Sequence, residues 1–439
     1  MTMNTGKKKK IIRGARVLDP ARGIDEMLDV LIEDGQIAGV DKAQAFSGLT
    51  DSEELDARGL LLTPGLIDIH AHFREPGQEW KETVETGSRA AVAGGFSTVC
   101  CMPNTKPVND NASVTKYILQ KAGEAALCRV LPIGAITLES SGLGLSPMGE
   151  LIEAGCVAFS DDGRPVMSAG VMRKALEYSL MFRKVLTVHE EDLTLSEGFS
   201  MNESALSLKL GLKGMPDAAE NVMISRDIEL ARLTGGRVHF CHVSTTRGVM
   251  LIRRAKEDGI PVTAEVTPHN FTLDESVLEE YDTNAKMSMP LRGKADIQAL
   301  LDGLREGVID CIASDHAPHE PDSKNVEFDH ASFGILGLQT MLPLTLARVR
   351  DGSLTLPRAI EALTTKAAQC LSLPAPSLSK GSVADICLID LERRMRFSPA
   401  VNRSKSRNSP FFNWELQGLA VKTFVAGKEV FSIEEFGAA

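Results

Sequence analysis

Short apolar, often β-branched runs alternate with longer helical stretches through the middle of this 439-residue chain. Strands that alternate with helices are typical of a parallel sheet built from βα units, so this pattern strongly constrains the fold. Eight runs are predicted as strands: 66–72, 97–102, 129–136, 156–160, 185–189, 237–242, 261–267 and 310–315. Eight βα units predict an α/β fold with a TIM-type (β/α)8 barrel. The third and seventh runs have weak strand patterns, so a doubly wound open sheet is the alternative.

The two ends of the chain have a different pattern, in which short apolar runs are broken by turn signals. Asp34-Gly35 and Ala426-Gly427 are predicted hairpin turns. Neither end can fill a core alone, so we predict that both ends form one small β-sandwich domain. The predicted domains are this composite sandwich, residues 1–61 and 376–439, and the barrel, residues 62–375. The polar segment 401–410 is predicted to be an exposed loop.

The charge balance limits the class of partner. A formal net charge of -11 argues against a protein that neutralises nucleic-acid phosphates or an anionic membrane, and favours a small-molecule substrate. No apolar run reaches the roughly 18 residues of a membrane span, and the basic run at residues 7–10 precedes a stretch too short and polar for a secretion signal. We therefore expect a cytoplasmic protein. Its eight cysteines form no CxxC pair and are predicted to be reduced and structural.

Two histidines lie at the end of the first predicted strand, in the stretch LIDIHAHFREPG. Residues two apart share one face of a strand, so His70 and His72 are predicted to point the same way. A single histidine is more often a hydrogen-bonded core residue than a ligand. The HxH pattern at a strand end, followed at once by Arg74, is a narrower signal and indicates a metal site.

Other predicted strands also end in residues that bind metal ions, and the functional residues of such barrels lie at the carboxyl ends of the strands. Together with His70 and His72, these residues form a set of four histidines and two aspartates, completed by Asp161, His189, His242 and Asp315. Six nitrogen and oxygen ligands exceed the needs of one tetrahedral zinc, so we predict two ions bridged by a carboxylate. Water between two such ions becomes acidic enough to hydrolyse a bond. Asp315 is the favoured general acid and base.

Further polar residues lie beside this predicted rim. Arg74, with Asn104 after the second strand and His319 after the eighth, is suited to bind a substrate carboxylate. His239 is predicted to point away from His242 and to have a core or supporting role, and Asp162 is predicted to point away from Asp161. His269 and His316 are predicted to support metal ligands by a hydrogen bond that fixes the tautomer of a ligand. His330 is predicted to lie in a loop.

At these residues the chain resembles the amidohydrolase superfamily, and within it the class I bacterial dihydroorotases. The similarity runs nearly end to end, through HAHFREPG, GGFSTVCCMPNTKPV, VAFSDDG, HFCHVST, EVTPH, YDTN and ASDHAPH. The resemblance implies a distorted TIM barrel, a flanking β-sandwich and two zinc ions. It implies that His70, His72 and Asp315 hold one zinc and that His189 and His242 hold the other. Asp161 would bridge the two ions.

The resemblance also implies a reaction, the reversible hydrolysis of (S)-dihydroorotate to N-carbamoyl-L-aspartate in pyrimidine biosynthesis. Arg74, Asn104 and His319 would hold the carboxylate. Three positions depart from the family pattern: Ser288 replaces a substrate-binding asparagine, and Asn270 and Gln339 replace a histidine and a glutamate. With Ser288 in place of the asparagine, one hydrogen bond to a charged group is lost, which is worth roughly 1.5–3 kcal/mol. We therefore expect weaker substrate binding without loss of turnover.

Two alternatives remain open at this point. One is a catalytically weak dihydroorotase-like subunit that partners aspartate carbamoyltransferase, although every expected zinc ligand is present. The other is a cyclic amidase of the hydantoinase or allantoinase type. These relatives resemble one another in using a carboxylated lysine as the bridge, whereas residues 159–163 read FSDDG. The sequence also leaves open a homodimer.

Overall fold

The computed structural model describes residues 9–49 and 51–436. The predicted basic run is therefore only partly described, since Lys7 and Lys8 lie outside these residues. The strands are β1 (Lys9–Asp19), β2 (Ile24–Glu33), β3 (Gln36–Asp41), β4 (Ser52–Asp56), β5 (Leu61–Pro64), β6 (Leu66–Ala71), β7 (Phe96–Cys101), β8 (Arg129–Pro132), β9 (Val185–Val188), β10 (Met201–Asn202), β11 (Gly214–Met215), β12 (Arg237–Phe240), β13 (Val262–Val266), β14 (Cys311–Ile312), β15 (Ile386–Arg396), β16 (Glu415–Val425) and β17 (Lys428–Ser432).

The α-helices lie mainly between the central strands. They are α1 (Val84–Ala93), α2 (Ala112–Ala125), α3 (Met148–Ala154), α4 (Ala169–Leu180), α5 (Leu193–Ser196), α6 (Ala205–Leu210), α7 (Ala218–Thr234), α8 (Thr246–Glu257), α9 (Pro268–Thr272), α10 (Lys294–Glu306), α11 (Met341–Arg350), α12 (Leu356–Ala362) and α13 (Thr365–Cys370). The sequence itself has helical patterns over residues 83–93, ending at Gly94-Gly95, and over 169–181, 218–233 and 294–306, and each pattern predicts a helix. These four predictions agree with α1, α4, α7 and α10 to within one residue at each end.

Both ends of the chain contribute to one eight-stranded sheet. Its order is β17-β16-β15-β5-β1-β2-β3, and β4 pairs with β1. The ends join where β5 and β15 run antiparallel, with Leu62 opposite Leu388. In the β2–β3 hairpin, Asp34 and Gly35 both have positive φ angles of 51° and 78°, as a type I′ turn requires. The sandwich arrangement and the domain boundaries stay predictions.

This sheet packs closely on the central part of the chain. The Thr423 hydroxyl of β16 donates a hydrogen bond of 2.7 Å to the carbonyl of Val92 in α1. Gly95 has a φ of +93°, and a Cβ there would lie 2.7 Å from the Cys387 sulfur of β15. The approach is so close that this position requires glycine.

The central strands are parallel and form two groups, β6-β7-β8 and β14-β13-β12-β9. Isolated parallel bridges connect the groups on both sides: Ala71 pairs with His316, and Phe159 pairs with both Gly134 and Leu186. The predicted fourth strand, 156–160, is therefore not a regular strand, although its backbone bonds to the chain on both sides, for example from the Val157 N–H to the Pro132 carbonyl and from the Thr187 N–H to the Phe159 carbonyl. A closed eight-stranded barrel stays a prediction.

Side chains from these strands form a compact apolar cluster that includes Ile67, Ile69, Ile133 and Ala313. All eight cysteines are buried and make no disulfide in the described residues, which supports the prediction that they are structural. Among residues 9–49 and 51–436, no helix combines the length and apolar character needed to cross a bilayer.

Candidate metal and substrate site

His70 and His72 come from β6 and the position just after it, and each ring is oriented through its Nδ1 atom. His70 Nδ1 lies 2.6 Å from Glu265 Oε1, and His72 Nδ1 lies 2.8 Å from Asn104 Oδ1. Both oxygens are acceptors, so each Nδ1 donates a hydrogen bond to its partner and each Nε2 faces the other metal-binding candidates. The two imidazoles are therefore held in the orientation that would let each bind a metal through Nε2.

His189 and His242 follow β9 and β12 and complete the group of four histidines. His189 Nε2 donates to Glu191 Oε2 over 2.9 Å, which leaves Nδ1 to face the other ligands. His189 Nδ1 is 3.1 Å from His242 Nε2. All four histidines predicted from the strand ends lie together.

The structure corrects the predicted bridging carboxylate, because Asp162 lies among these histidines and Asp161 does not. An Asp162 oxygen is 3.4 Å from Nε2 of each of three histidines: His70, His72 and His242. Asp161 instead accepts hydrogen bonds from the backbone N–H groups of Ile136 and Thr137 at 2.9 and 3.0 Å, and from the Thr137 hydroxyl.

The reason for this correction is local backbone geometry. The alternation rule holds only in a regular strand, and the chain turns after Ser160, where the Asp162 N–H donates to the Ser160 hydroxyl over 3.0 Å. This turn directs the second carboxylate, not the first, into the site.

Asp315 lies on the opposite side of the same group. Its Oδ1 is 3.0 Å from His72 Nε2 and 3.4 Å from His70 Nε2. Burial alone would raise the pKa of Asp315, but the neighbouring imidazoles outweigh burial and hold this pKa well below its ordinary value. The carboxylate is therefore ionised and available as a ligand or a proton acceptor.

The donor set fits divalent metal ions. Three overlapping groups bring their ligand atoms within 4.8 Å of one another: His70, His72 and Asp162; His70, His242 and Asp315; and Asp162, His189 and His242. Within the described part of the chain, His70 Nε2 and Asp162 Oδ1 are buried and have no hydrogen-bond partner. Unpaired polar atoms are costly in a protein interior, and a bound cation would satisfy both. Imidazole and carboxylate donors suit zinc and related ions.

A cavity of about 470 Å³ opens onto this group. All four residues predicted to bind substrate line it, namely Arg74, Asn104, Ser288 and His319. Five of the metal-binding candidates line it too: His72, Asp162, His189, His242 and Asp315. Leu193, Phe199, Met287 and Phe333 add apolar surface. The cavity can therefore take a small ring with one anionic group.

Three basic side chains lie close together beside the cavity, and we call Arg74, Lys81 and His319 the basic corner; Arg74 and His319 line the cavity itself. Lys81 Nζ lies 3.4 Å from His319 Nδ1. Burial lowers the pKa of His319 to about 2, and the charges of Arg74 and Lys81 add to this effect, so the imidazole is neutral. The buried Arg74 guanidinium supplies a permanent positive charge for an anionic ligand.

Asn104 and Ser288 have different surroundings within the cavity. Asn104 uses Oδ1 on His72 and its amide nitrogen on the Asp162 carbonyl at 3.4 Å, so it also orients two metal-binding candidates. The Ser288 hydroxyl is buried and, among the described residues, has no hydrogen-bond partner. It is free to contact a ligand.

Some supporting residues were not found from the sequence. Glu265 accepts from His70 and also from His239 Nε2 at 3.0 Å, and Glu191 orients His189. The available signal for Glu265 was a carboxylate inside the apolar strand β13. Of the other histidines, His239 has the predicted supporting role, and His330 is the predicted exposed loop residue.

The prediction of an exposed loop over residues 401–410 is wrong. Ser404, Ser406 and Asn408 are buried, and Asn408 is bonded to the chain around His319. The polar composition of the segment did not indicate its burial, because these polar side chains form hydrogen bonds with backbone groups near the site and not with water.

Comparisons with known proteins show the family of the chain. A dihydroorotase from Syntrophotalea carbinolica is 49% identical over 429 residues, which cover 97% of this chain and 100% of that relative. A dihydroorotase from Anaeromyxobacter dehalogenans is 51% identical over 421 residues, covering 95% and 97%. The family described as Dihydro-orotase-like matches residues 59–248. The chain belongs to the dihydroorotase family.

Solved structures place this dihydroorotase family member among cyclic amidases of similar fold. The L-hydantoinase (dihydropyrimidinase) from Arthrobacter aurescens superposes with a TM-score of 0.86 at 26% identity, covering 96% of both chains. A dihydropyrimidinase from Brevibacillus agri superposes with a TM-score of 0.83 at 22% identity, covering 97% of this chain and 95% of that one, and shows the shared fold.

Proposed function

We propose that this chain is a dihydroorotase, which reversibly hydrolyses the ring amide of (S)-dihydroorotate to N-carbamoyl-L-aspartate. The observation that carries the proposal is one cavity lined both by metal-binding candidates and by Arg74 and His319 of the basic corner. Relatives at about 50% identity over nearly the full chain are named dihydroorotase. An amide ring that bears a carboxylate matches both halves of the cavity.

The cofactor in this proposal is a pair of zinc ions. His70, His72 and Asp315 would hold one, and His189 and His242 the other, with Asp162 between them. When bound, the ions supply Lewis acidity, which acidifies water and polarises the ring carbonyl. The proposal replaces Asp161 by Asp162 because of the distances given above.

The chain's own residues then bind the substrate and move the proton. Arg74 and His319 bind the substrate carboxylate and fix the ring, while the Ser288 hydroxyl is within the same cavity. Asp315 accepts the proton of the attacking water and delivers it to the ring nitrogen as the C–N bond breaks, so one water is consumed and no net charge is left on the nitrogen. Ring closure follows the same path in reverse.

The fold and domains proposed here are the (β/α)8 barrel over residues 62–375 and the β-sandwich from residues 1–61 and 376–439. The bridges at Ala71 and Phe159 support barrel closure, because each connects the outer strands of the two parallel groups. The β5–β15 pairing supports a domain made from both chain ends.

The test is ring opening of (S)-dihydroorotate by the purified, zinc-loaded protein, with hydantoin and allantoin assayed in parallel. We expect turnover of dihydroorotate alone. In Arg74→Ala the Michaelis constant should rise by one to two orders of magnitude, since a buried charge-assisted contact to the carboxylate is lost. Turnover of hydantoin in preference to dihydroorotate would show that the substrate is wrong.

Association with other chains is a separate proposal. Dihydroorotate turnover that appears only after aspartate carbamoyltransferase is added would support the catalytically weak, partnered subunit, and sedimentation of the chain alone would reveal a homodimer.

A further inference from the structure

Asn408 lies in the C-terminal part of the chain, yet its side chain is bonded to the basic corner. Its Oδ1 accepts a hydrogen bond of 2.9 Å from the backbone N–H of His319. Its Nδ2 donates to the carbonyls of Ala317 at 2.8 Å and Gly334 at 2.9 Å. The residue is only 2% exposed, so water does not compete for these bonds.

These three bonds connect two stretches of backbone that line the cavity. Ala317 and His319 belong to the chain after β14, whereas Gly334 adjoins the cavity residue Phe333. The two stretches approach so closely that a Cβ at Gly334 would lie 2.7 Å from His319 Cδ2. The His319 ring therefore packs against Gly334, and Asn408 sets the spacing between them.

The same C-terminal segment also contacts the other side of the basic corner. The Ser406 hydroxyl donates 2.7 Å to the carbonyl of Lys81, and the Lys405 N–H donates 3.0 Å to Glu82. We call residues 404–406 together with Asn408 the clasp; the Arg407 side chain between them is exposed. The clasp holds the backbone of Lys81 and that of His319 at once, while Lys81 Nζ and His319 Nδ1 are themselves 3.4 Å apart.

We propose that Asn408 is a positioning residue for anion recognition, which fixes His319 relative to Arg74 and Lys81 so that the basic corner fits a carboxylate. The inference rests on the proposed function, since the carboxylate is that of dihydroorotate. Asn408 does not line the cavity and acts only through His319 and the adjoining backbone. Loss of its bonds lets the His319 backbone relax, and small displacements of a binding group reduce productive binding strongly.

The test compares Asn408→Ala and Asn408→Asp with Arg407→Ala, in the zinc-loaded full-length chain. The aspartate variant keeps the acceptor for the His319 N–H and the side-chain volume, but it turns a carboxylate oxygen towards the carbonyls of Ala317 and Gly334 and so breaks the same two bonds by repulsion. Circular dichroism of each variant shows which of them are folded and enter the comparison. Arg407 is the matched control because it is adjacent and exposed. We expect the Michaelis constant for dihydroorotate to rise roughly tenfold in the Asn408 variants, with kcat changed less than about threefold.

Two further measurements separate positioning from general destabilisation. In a His319→Ala background, Asn408→Ala should have no further effect on the Michaelis constant, because its route to the substrate is gone. Amide hydrogen exchange over residues 316–336 should be faster in Asn408→Ala than in Arg407→Ala. A fall in kcat with an unchanged Michaelis constant, or an equal effect in the His319→Ala background, would overturn the inference.

Failure of the proposed function is recognised separately. If the wild-type chain does not open the ring of dihydroorotate, the substrate assignment is wrong. Then only the comparison of amide hydrogen exchange over residues 316–336 decides the role of Asn408. Equal exchange in Asn408→Ala and Arg407→Ala would then overturn the inference.

Discussion

Asp161 and Asp162 are adjacent carboxylates with different surroundings, and this difference predicts opposite effects of the same substitution. Asp162→Asn should abolish binding of at least one zinc ion and most activity, because the lost charge faces three histidines. Asp161→Asn should keep both ions, since its contacts are to backbone N–H groups and a hydroxyl. Metal content by mass spectrometry checks this.

Asp161→Asn serves as the matched control. Its only expected effect is a melting temperature lower by a few degrees, because one hydrogen-bond network is weakened. If Asp161→Asn lost metal while Asp162→Asn retained it, the assignment of the carboxylate would be reversed.

Asp315 is predicted to carry the proton from water to the leaving nitrogen. Asp315→Asn should reduce kcat by several orders of magnitude, because an amide cannot accept that proton. Circular dichroism should show an unchanged fold. Activity within tenfold of the wild type would remove Asp315 from this role, whether or not the variant still binds metal.

Among single residues, the sequence predicts the four histidines and Asp315 because each lies at or shortly after the carboxyl end of a strand, and these strand ends converge at one edge of a parallel array. It misplaces the bridging carboxylate, since a turn of one residue decides which of two neighbouring aspartates enters the site. It also misses Asn408, because no local pattern reports contacts to residues about 90 positions away.

Glu265 in β13 connects two other strands through hydrogen bonds. Its carboxylate accepts hydrogen bonds from the ring nitrogens of His70 in β6 and His239 in β12, and from the backbone N–H of His242 at 3.3 Å. Glu265→Gln should weaken zinc binding by about 10- to 100-fold, because the substituted amide no longer favours the required His70 tautomer. Competition with a chelator measures the affinity.

Thr263→Val is the control for Glu265, since Thr263 contacts His239 Nδ1 at 2.8 Å and touches no metal-binding candidate. Zinc affinity that falls equally in both variants would mean that strand packing, not the orientation of His70, is responsible.

Lys324 is buried within the segment after His319. Its ammonium donates to the carbonyls of Ser332 at 2.7 Å and Gly334 at 3.2 Å. Burial lowers the pKa of Lys324 to about 7, Lys286 adds to this shift and Asp282 opposes it. Between about pH 7 and the ordinary pKa of 10.5, the unfolded chain binds a proton that the folded chain has released. The free energy of unfolding should therefore rise with pH, at up to about 1.4 kcal/mol per pH unit.

Chemical denaturation from pH 6.5 to 9.5 measures this slope. Lys324→Met should flatten it, whereas the exposed control Lys380→Met should retain it. A slope that is the same in all three proteins would exclude Lys324 as its source.

Among the elements, the amphipathic helices could be predicted closely, because their periodicity and caps are local. Thr83, for example, accepts from the Thr86 N–H in a capping box at the start of α1. The fourth strand was predicted at residues 156–160, which bond through their backbone to the chain on both sides but do not form a regular strand. The apolar character of the run reports its burial and does not report this irregularity.

For the whole molecule, the sheet made from both ends predicts that the central region does not fold by itself. A chain ending at residue 375 lacks β15, which leaves the edge of β5 unpaired and removes the clasp. We expect it to aggregate or to lack a cooperative thermal transition. Sedimentation and circular dichroism, with the full-length chain as control, test this. A monomeric truncated chain with a sharp transition would contradict the prediction.

The β5–β15 pairing also bears on synthesis of the protein in the cell. Strand β5 leaves the ribosome about 320 residues before its partner β15. At typical translation rates, the nascent chain carries an unsatisfied strand edge for on the order of 15 to 60 s. Residues after 385 thus complete both the sheet and the anion-binding corner, so a nascent chain that has not reached them has neither and is exposed to chaperones and proteases.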